Sequence, residues 1–248
     1  NAQAQIRPRL VDKRDRALAT QIVIGTLRWR AKLDFIIQKA SSRPLNRIDA
    51  DLLDLLRISA YQLLYLDRVP AHAVIYEAVN LAAPLGKKSA SPFINAVLRT
   101  IERETESQQL PALPTDLQQS DRNSILDYLS ITQSHPRWLM ERWCDRYGAD
   151  ATIMWTVFNN QVAPITLRVN TLKRSTSRLA EELLAYGIET RPSMWSPHAL
   201  IVTRGNPHDS PLASQSLFWQ QDEASQLIGE LVAAKPGDQI LDTCAAPG

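Results

Sequence analysis

Residues 49–66, DADLLDLLRISAYQLLYL, set the strongest constraint on the fold. Read at the helical period, Leu52, Leu53, Leu55, Leu56, Ile58, Leu63 and Leu64 leave almost no polar side. A helix of that kind is stable only when other helices cover it, so it belongs at the centre of a bundle. The flanking segments supply the cover. Asp12–Arg30 carries a stripe of Ala17, Ile22, Val23, Leu27 and Trp29, and Ala31–Ala40 adds Leu33, Ile36 and Ile37. Pro70 suits a first helical turn, and Val74, Ile75, Ala78, Val79 and Leu81 follow up to a stop at Gly86. Ser91-Pro92 opens a last helix through Phe93, Ile94, Val97, Leu98 and Ile101. About five helices with short loops predict one all-α domain, over residues 1–106.

Beyond it the pattern changes. Residues 104–124 are rich in Gln, Pro, Thr and Ser, which predicts an exposed connector across 107–133. Ser134-His135-Pro136 sets up a helix through Trp138, Leu139, Trp143 and Tyr147, stopped by Gly148. Its aromatics suit either a platform for stacking bases or the edge of a buried core, and their helical spacing favours the core edge. PITLRVN (164–170) alternates Ile165, Leu167 and Val169 against Thr166, Arg168 and Asn170, a half-buried strand. A short helix over Ser177–Tyr186 and strands over Ile188–Trp195 and Ala199–Arg204 complete a small α+β lobe, residues 134–214. Arg168 and Asn170, on the polar side of their strand, either touch RNA or simply face water.

Charge is uneven although the net value is only +2. Residues 1–47 hold 11 basic and 3 acidic side chains. Arg7, Arg9, Lys13 and Arg14 lead that segment, a candidate phosphate-contacting surface or a solvated helix face. At 44% hydrophobic residues the chain is too apolar to be disordered, and no apolar run reaches membrane-spanning length. The start NAQAQIRPRL lacks the apolar centre of a signal peptide. Two cysteines cannot make a disulfide framework, and a cytoplasmic monomer is expected. His72 has no His or Cys nearby at metal-ligand spacing and is read as structural, with no metal site expected. Cys144, on an amphipathic helix, is read as a small core residue.

The last residues carry the chemistry. Asp222–Ala234 reads as a helix with Ala224, Leu227, Ile228, Leu231 and Val232 on its apolar face. After the turn Lys235-Pro236-Gly237-Asp238 comes a short strand, Gln239–Asp242, and the small-residue loop Thr243-Cys244-Ala245-Ala246-Pro247-Gly248. A strand running into such a loop opens a parallel α/β sheet, whose ligands sit beyond the carboxyl ends of the strands. Small residues let backbone N–H groups approach a ligand closely. The fold class expected is therefore mostly α: an all-α bundle, a small α+β lobe, and over 215–248 the first helix and strand of a Rossmann-like α/β domain. DTCAAPG does not look like the end of a protein, so the chain is expected to be a C-terminally truncated piece.

ILDTCAAPG resembles motif I of the RNA cytosine carbon-5 methyltransferases, which use S-adenosylmethionine. QDEASQLI (221–228) resembles the helix before that motif, and PITLRVN the strand opening the family's RNA-binding lobe. RDRALATQIVIGTLRWR, VPAHAVIYEAVNLA and FINAVLR resemble the antitermination factor NusB. A NusB-like domain ahead of such a methyltransferase resembles the group of 16S ribosomal RNA methyltransferase B enzymes, also called Sun or Fmu. The resemblance implies that Cys244, Ala245, Ala246, Pro247 and Gly248 are cofactor-loop positions, with Asp242 ordering the loop. It implies a thiolate that adds to carbon-6 of cytosine so that carbon-5 can take the methyl group. The cysteine motifs that supply it lie beyond residue 248, so Cys244 is not expected to catalyse and the chain as given is expected to be inactive. Two other readings stay open: a non-catalytic NusB-type RNA-binding protein of antitermination or ribosome assembly, and a small-molecule methyltransferase. The second leaves the basic helical domain without a purpose.

Overall fold

A computed structural model describes residues 12–104, 110–117 and 119–243, which fall in two compact units, Asn1–Gln161 and Val162–Gly248. In the first unit, α1 (Lys13–Arg28), α2 (Arg30–Ser41), α3 (Ala50–Tyr65), α4 (Ala71–Leu81) and α5 (Ser91–Arg103) form the bundle. Side chains start two of these helices. Asp12 accepts from the Arg14 N–H, and Asp49 accepts from the Asp51 and Leu52 N–H groups, occupying donors that an N-terminus otherwise leaves open. Helix α3 is the centre, with Leu52, Leu53, Leu55, Leu56, Ser59, Ala60 and Tyr61 all buried. Leu33, Ile36 and Ile37 of α2, Ile75 and Ala78 of α4, and Ile94, Val97, Leu98 and Ile101 of α5 close around it. Arg57 crosses from α3 to grip Asp34 of α2 through two parallel hydrogen bonds of 2.6 and 2.8 Å.

Helix α1 departs from its expected stripe. Leu27 and Ala17 face solvent, and the inward side is Ile22, Gly25, Thr26 and Trp29, which recur at i, i+3, i+4 and i+7. Gly25 lies directly against the ring of the buried Tyr61, so the crossing is set by a missing side chain rather than by a large apolar one. Tyr61 stacks on Tyr65 and Tyr65 on Trp29, with ring centroids 5.1 and 5.3 Å apart.

The Tyr65 hydroxyl is buried and has no hydrogen-bond partner among the described residues. Burial, reinforced by neighbouring Tyr61, raises its pKa above the ordinary tyrosine value. The folded state therefore holds this proton at pH values where the unfolded chain has lost it. The resulting stability is present below about pH 10 and lost as pH rises further. Tyr65→Phe removes an unpaired polar group while keeping the stack. It is expected to leave stability at pH 7 unchanged or raise it by up to about 1 kcal/mol, and to weaken the alkaline loss, both read from thermal unfolding at pH 7 and pH 10.5. A variant less stable than the parent at pH 7 would contradict this.

The expected connector ends in packed structure. Helix α6 (Arg122–Asp127) runs into a π-helical turn, Tyr128–Thr132. Helices α7 (Arg137–Tyr147) and α8 (Ala149–Asn159) follow, with Ile125, Leu126, Leu129 and Met140 as their small core. Ser134, at a left-handed φ of 56°, accepts hydrogen bonds from the Ala31 and Lys32 N–H groups at 2.8 and 3.4 Å. It thus caps α2 from about a hundred residues away in sequence. The favoured reading of the α7 aromatics needs correction: Trp138 is 63% exposed and Tyr147 is exposed, while Met140 is the buried residue of α7. Only Trp143 of the three packs beside that core, together with Cys144.

In the second unit β1 (Thr166–Val169), α9 (Thr176–Ala185), β2 (Glu189–Pro192), β3 (Ala199–Arg204) and β4 (Phe218–Gln220) build an antiparallel sheet of order β2-β3-β1-β4. Ser175 caps α9, whose Leu179 and Leu183 pack on Leu167, Val169, Leu200 and Phe218. The opposite sheet face carries Thr166, Ala199 and Ile201, buried although they lie outside that core. Helix α10 (Glu223–Val232) follows.

Two expectations at this end are corrected. Gln239–Asp242 is not paired as a strand, and a strand exists only where an adjacent strand answers its backbone groups. Ile228, Leu231 and Val232 of α10 are exposed, and its buried residue is Gln226.

Candidate nucleic-acid interface

The expected site residues fall into three sets. Cys244, Ala245, Ala246, Pro247 and Gly248, with Arg7 and Arg9, lie outside the described residues, and Lys13 opens α1 with its side chain undescribed. In the first unit, Arg14 is exposed at the start of α1. Other cations of the basic segment are already engaged. Arg30 reaches Asp34 at 3.9 Å, Lys39 sits over the Phe35 ring, and Arg43 sits over Phe93. Lys32 lies 5.2 and 5.3 Å from the ring centroids of Trp29 and Tyr65, and burial lowers its pKa from the ordinary lysine value. Arg14, Arg28 and Arg47 form no ion pair among the described residues, so they keep their charge for an outside anion. His72 is exposed on the first turn of α4.

In the second unit, the alternation of β1 turns Arg168 to the face away from the α9 core. The guanidinium donates to Gln221 Oε1 at 3.3 Å. Directly across from it on β4 stands Trp219, 53% exposed. Asn170 has a different role from Arg168. Its Nδ2 donates to the Ser216 carbonyl at 3.0 Å and its Oδ1 accepts from the Leu172 N–H, so both ends of the amide hold the turn after β1. Arg191 on β2 is exposed as well. Sequence reading passed over Trp219 and Arg191. A three-residue strand is too short to show a period, and which cross-strand neighbours they have depends on pairing register.

On α7 and α8, Trp143 and Trp155 stack at 5.0 Å, Tyr147 tilts against Trp155 at 5.5 Å, and Arg146 lies over Tyr147. Met154, Val157 and Phe158 on α8 are exposed beyond this ladder. Among the described residues no three His, Cys, Asp or Glu side chains are grouped to hold a metal ion, and no helix is long and apolar enough to cross a membrane.

Comparison with known proteins places two families on this framework. The NusB family matches residues 1–103, and the RsmF/B-like methyltransferase ferredoxin-like domain matches residues 135–209. The fold is accordingly a mostly helical NusB-like bundle followed by a small α+β ferredoxin-like lobe. Among curated relatives, the probable ribosomal RNA small subunit methyltransferase B of Bacillus subtilis is 31% identical over 243 residues, 98% of this chain and 52% of that protein. Ribosomal RNA small subunit methyltransferase B of Pseudomonas putida is 32% identical over 96% of this chain and 51% of its own length. That of Proteus mirabilis is 34% identical over 96% and 53%. The crystal structure of PH0851 superposes with a TM-score of 0.66 at 20% identity, covering 92% of this chain and 49% of that one, a likeness of fold. The chain thus spans about half the length of the curated relatives it matches.

Proposed function

We propose that this chain, in which a NusB-family domain precedes an RsmF/B-like ferredoxin-like domain, is the RNA-binding half of a 16S ribosomal RNA cytosine carbon-5 methyltransferase. The observation that carries the reading is collinearity: relatives named ribosomal RNA small subunit methyltransferase B match 96–98% of the chain, across both domains in one order. The choice of cytosine carbon-5 rests on the DTCAAPG motif. The division proposed is a NusB-like domain over 1–106, a connector from 107 that ends in the packed turn before 134, an RNA-binding lobe over 134–214 whose helices α7 and α8 belong to the first unit, and the start of the methyltransferase domain over 215–248.

In this reading S-adenosylmethionine supplies the methyl group, and Cys244, Ala245, Ala246, Pro247 and Gly248 hold it through backbone groups. The rest of the chain's work is RNA binding. Arg7, Arg9, Lys13 and Arg14 meet phosphates from the bundle, while Arg168 and Asn170 contribute from the lobe, Asn170 chiefly by holding its turn. The protein acts as a monomer in the cytoplasm, and the target base must leave its stack to react.

Two measurements test this. The 248-residue chain is expected to bind 16S RNA with an affinity that falls steeply with salt, because arginine and lysine displace counterions from phosphates. It is expected to transfer no methyl group. A protein of the relatives' length that begins with these residues is expected to convert cytidine in 16S RNA to 5-methylcytidine, read by nucleoside mass spectrometry. A folded long form that binds RNA and methylates nothing would favour the non-catalytic NusB-type reading.

A further inference from the structure

The lobe neutralises most of its arginines internally. Arg174 and Arg178 share Glu182, Arg178 also reaches Glu181, and Arg204 pairs with Glu189. Arg168 and Arg191 have no carboxylate partner among the described residues. Strand register puts these two on one face. Arg168 pairs with Ala199 across β1 and β3, Arg191 pairs with Ile201 across β2 and β3, and Ala199 and Ile201 are two residues apart on one strand. Trp219, opposite Arg168 on β4, shares that face. By strand spacing and rise the two arginines stand roughly 12 Å apart. Thr166, Ala199 and Ile201 on that face are buried, whereas Trp219, Arg168, Arg191 and Thr203 are exposed.

That combination discriminates between partners. An apolar protein surface laid on Trp219 would strip water from two guanidiniums without offering them a charge. A single-stranded nucleic acid satisfies both kinds of group at once: a base stacks on the indole, and phosphates take the guanidiniums. Gln221, by accepting from Arg168, holds that side chain beside Trp219.

We propose that Trp219, Arg168 and Arg191 form a stacking platform for a single-stranded stretch of RNA. The proposal rests on the RNA-binding reading above and adds to it the residue that stacks. The test is fluorescence anisotropy of a labelled single-stranded oligonucleotide of 16S sequence, titrated with the 248-residue chain over a range of salt. Trp219→Ala is expected to weaken binding about tenfold or more, and Trp219→Phe to retain most of the affinity, because the loss is of a stacked ring. Arg168→Gln and Arg191→Gln are each expected to lower the slope of log affinity against log salt by about one. Trp138→Ala, which removes an exposed indole elsewhere, is expected to change nothing. Wild-type binding that survives Trp219→Ala overturns this proposal and leaves the RNA reading standing. Equal losses for the alanine and phenylalanine variants also overturn it, because stacking would then not be the cause. A dimer abolished by Trp219→Ala with RNA affinity intact assigns the face to a second copy and overturns it too. No binding by the wild-type chain overturns both readings.

Discussion

Gly25→Ala is expected to destabilise the helical unit by about 2–3 kcal/mol, although alanine is the better helix former by about 1 kcal/mol. A β-carbon at Gly25 would stand against Cζ and the hydroxyl oxygen of Tyr61, far inside van der Waals contact. An exposed tyrosine would swing aside at little cost. Tyr61 is 6% exposed and stacked on Tyr65, which in turn stacks on Trp29, so moving its ring disturbs the whole column. Urea unfolding of the purified variant measures the loss. Adding Tyr61→Leu should restore part of it, since the smaller side chain makes room for the new methyl group. That rescue is a non-additive coupling, which a general effect on α1 would not produce. A Gly25→Ala protein as stable as the parent would mean that α1 shifts freely on α3 and that helix propensity decides the outcome.

Gln226→Ala is expected to cost about 2–3 kcal/mol in the second unit and to loosen α10. The side chain is 3% exposed, and both ends of its amide are used. Oε1 accepts from the Ser196 hydroxyl at 3.1 Å, and Nε2 donates to the Gln221 carbonyl at 3.0 Å. Ser193 adds a hydrogen bond to Glu223 from the same loop. Removing the amide strands a buried hydroxyl at Ser196, which is 1% exposed. Alanine favours helix at this position, so any loss must come from the broken link and not from α10 itself. Hydrogen exchange should quicken at the amides of residues 223–232. Ser196→Ala in the Gln226→Ala background should add little, because one partner has already lost the other. Unchanged exchange in α10 would show that the helix is held by other contacts.

These two positions also separate what periodicity can detect from what it cannot. Leu33, Ile36 and Ile37 of α2 and Ile94, Val97, Leu98 and Ile101 of α5 are buried as their spacing requires. Each helix has a single face rich enough in large apolar groups to leave no choice. On α1 the same reasoning selected Leu27, which is exposed, because two small residues, Gly25 and Thr26, make the close approach to α3. On α10 it selected Ile228 and Leu231, and the structure buries Gln226, whose partners Ser196 and Gln221 are neighbours only after the hairpin and β4 are in place. Hydrophobicity scores a residue by itself, whereas burial of an amide depends on who answers its hydrogen bonds. Helix α8 has apolar residues on most sides, so it shows no stripe to read.

The candidate interface divides in the same way. Strand alternation alone puts Arg168 on the face away from Leu167 and Val169. It does not reveal that Trp219 stands opposite, that Arg191 joins the same face, or that Asn170 is engaged at both ends of its amide.

By itself the sequence determined the helical bundle centred on residues 50–65, the onset of strand alternation at residue 164 inside a lobe expected from 134, and the family likeness of the final motif. These follow from local periodicity, capping residues and a contiguous motif, all of which act within a few turns of chain. Tertiary structure alone decided the cap that Ser134 places on α2, the Gly25–Tyr61 crossing, the buried Gln226, and the row of Trp219 and Arg168. Each of these joins groups from different elements, and its energy exists only once the chain has closed the loops between them.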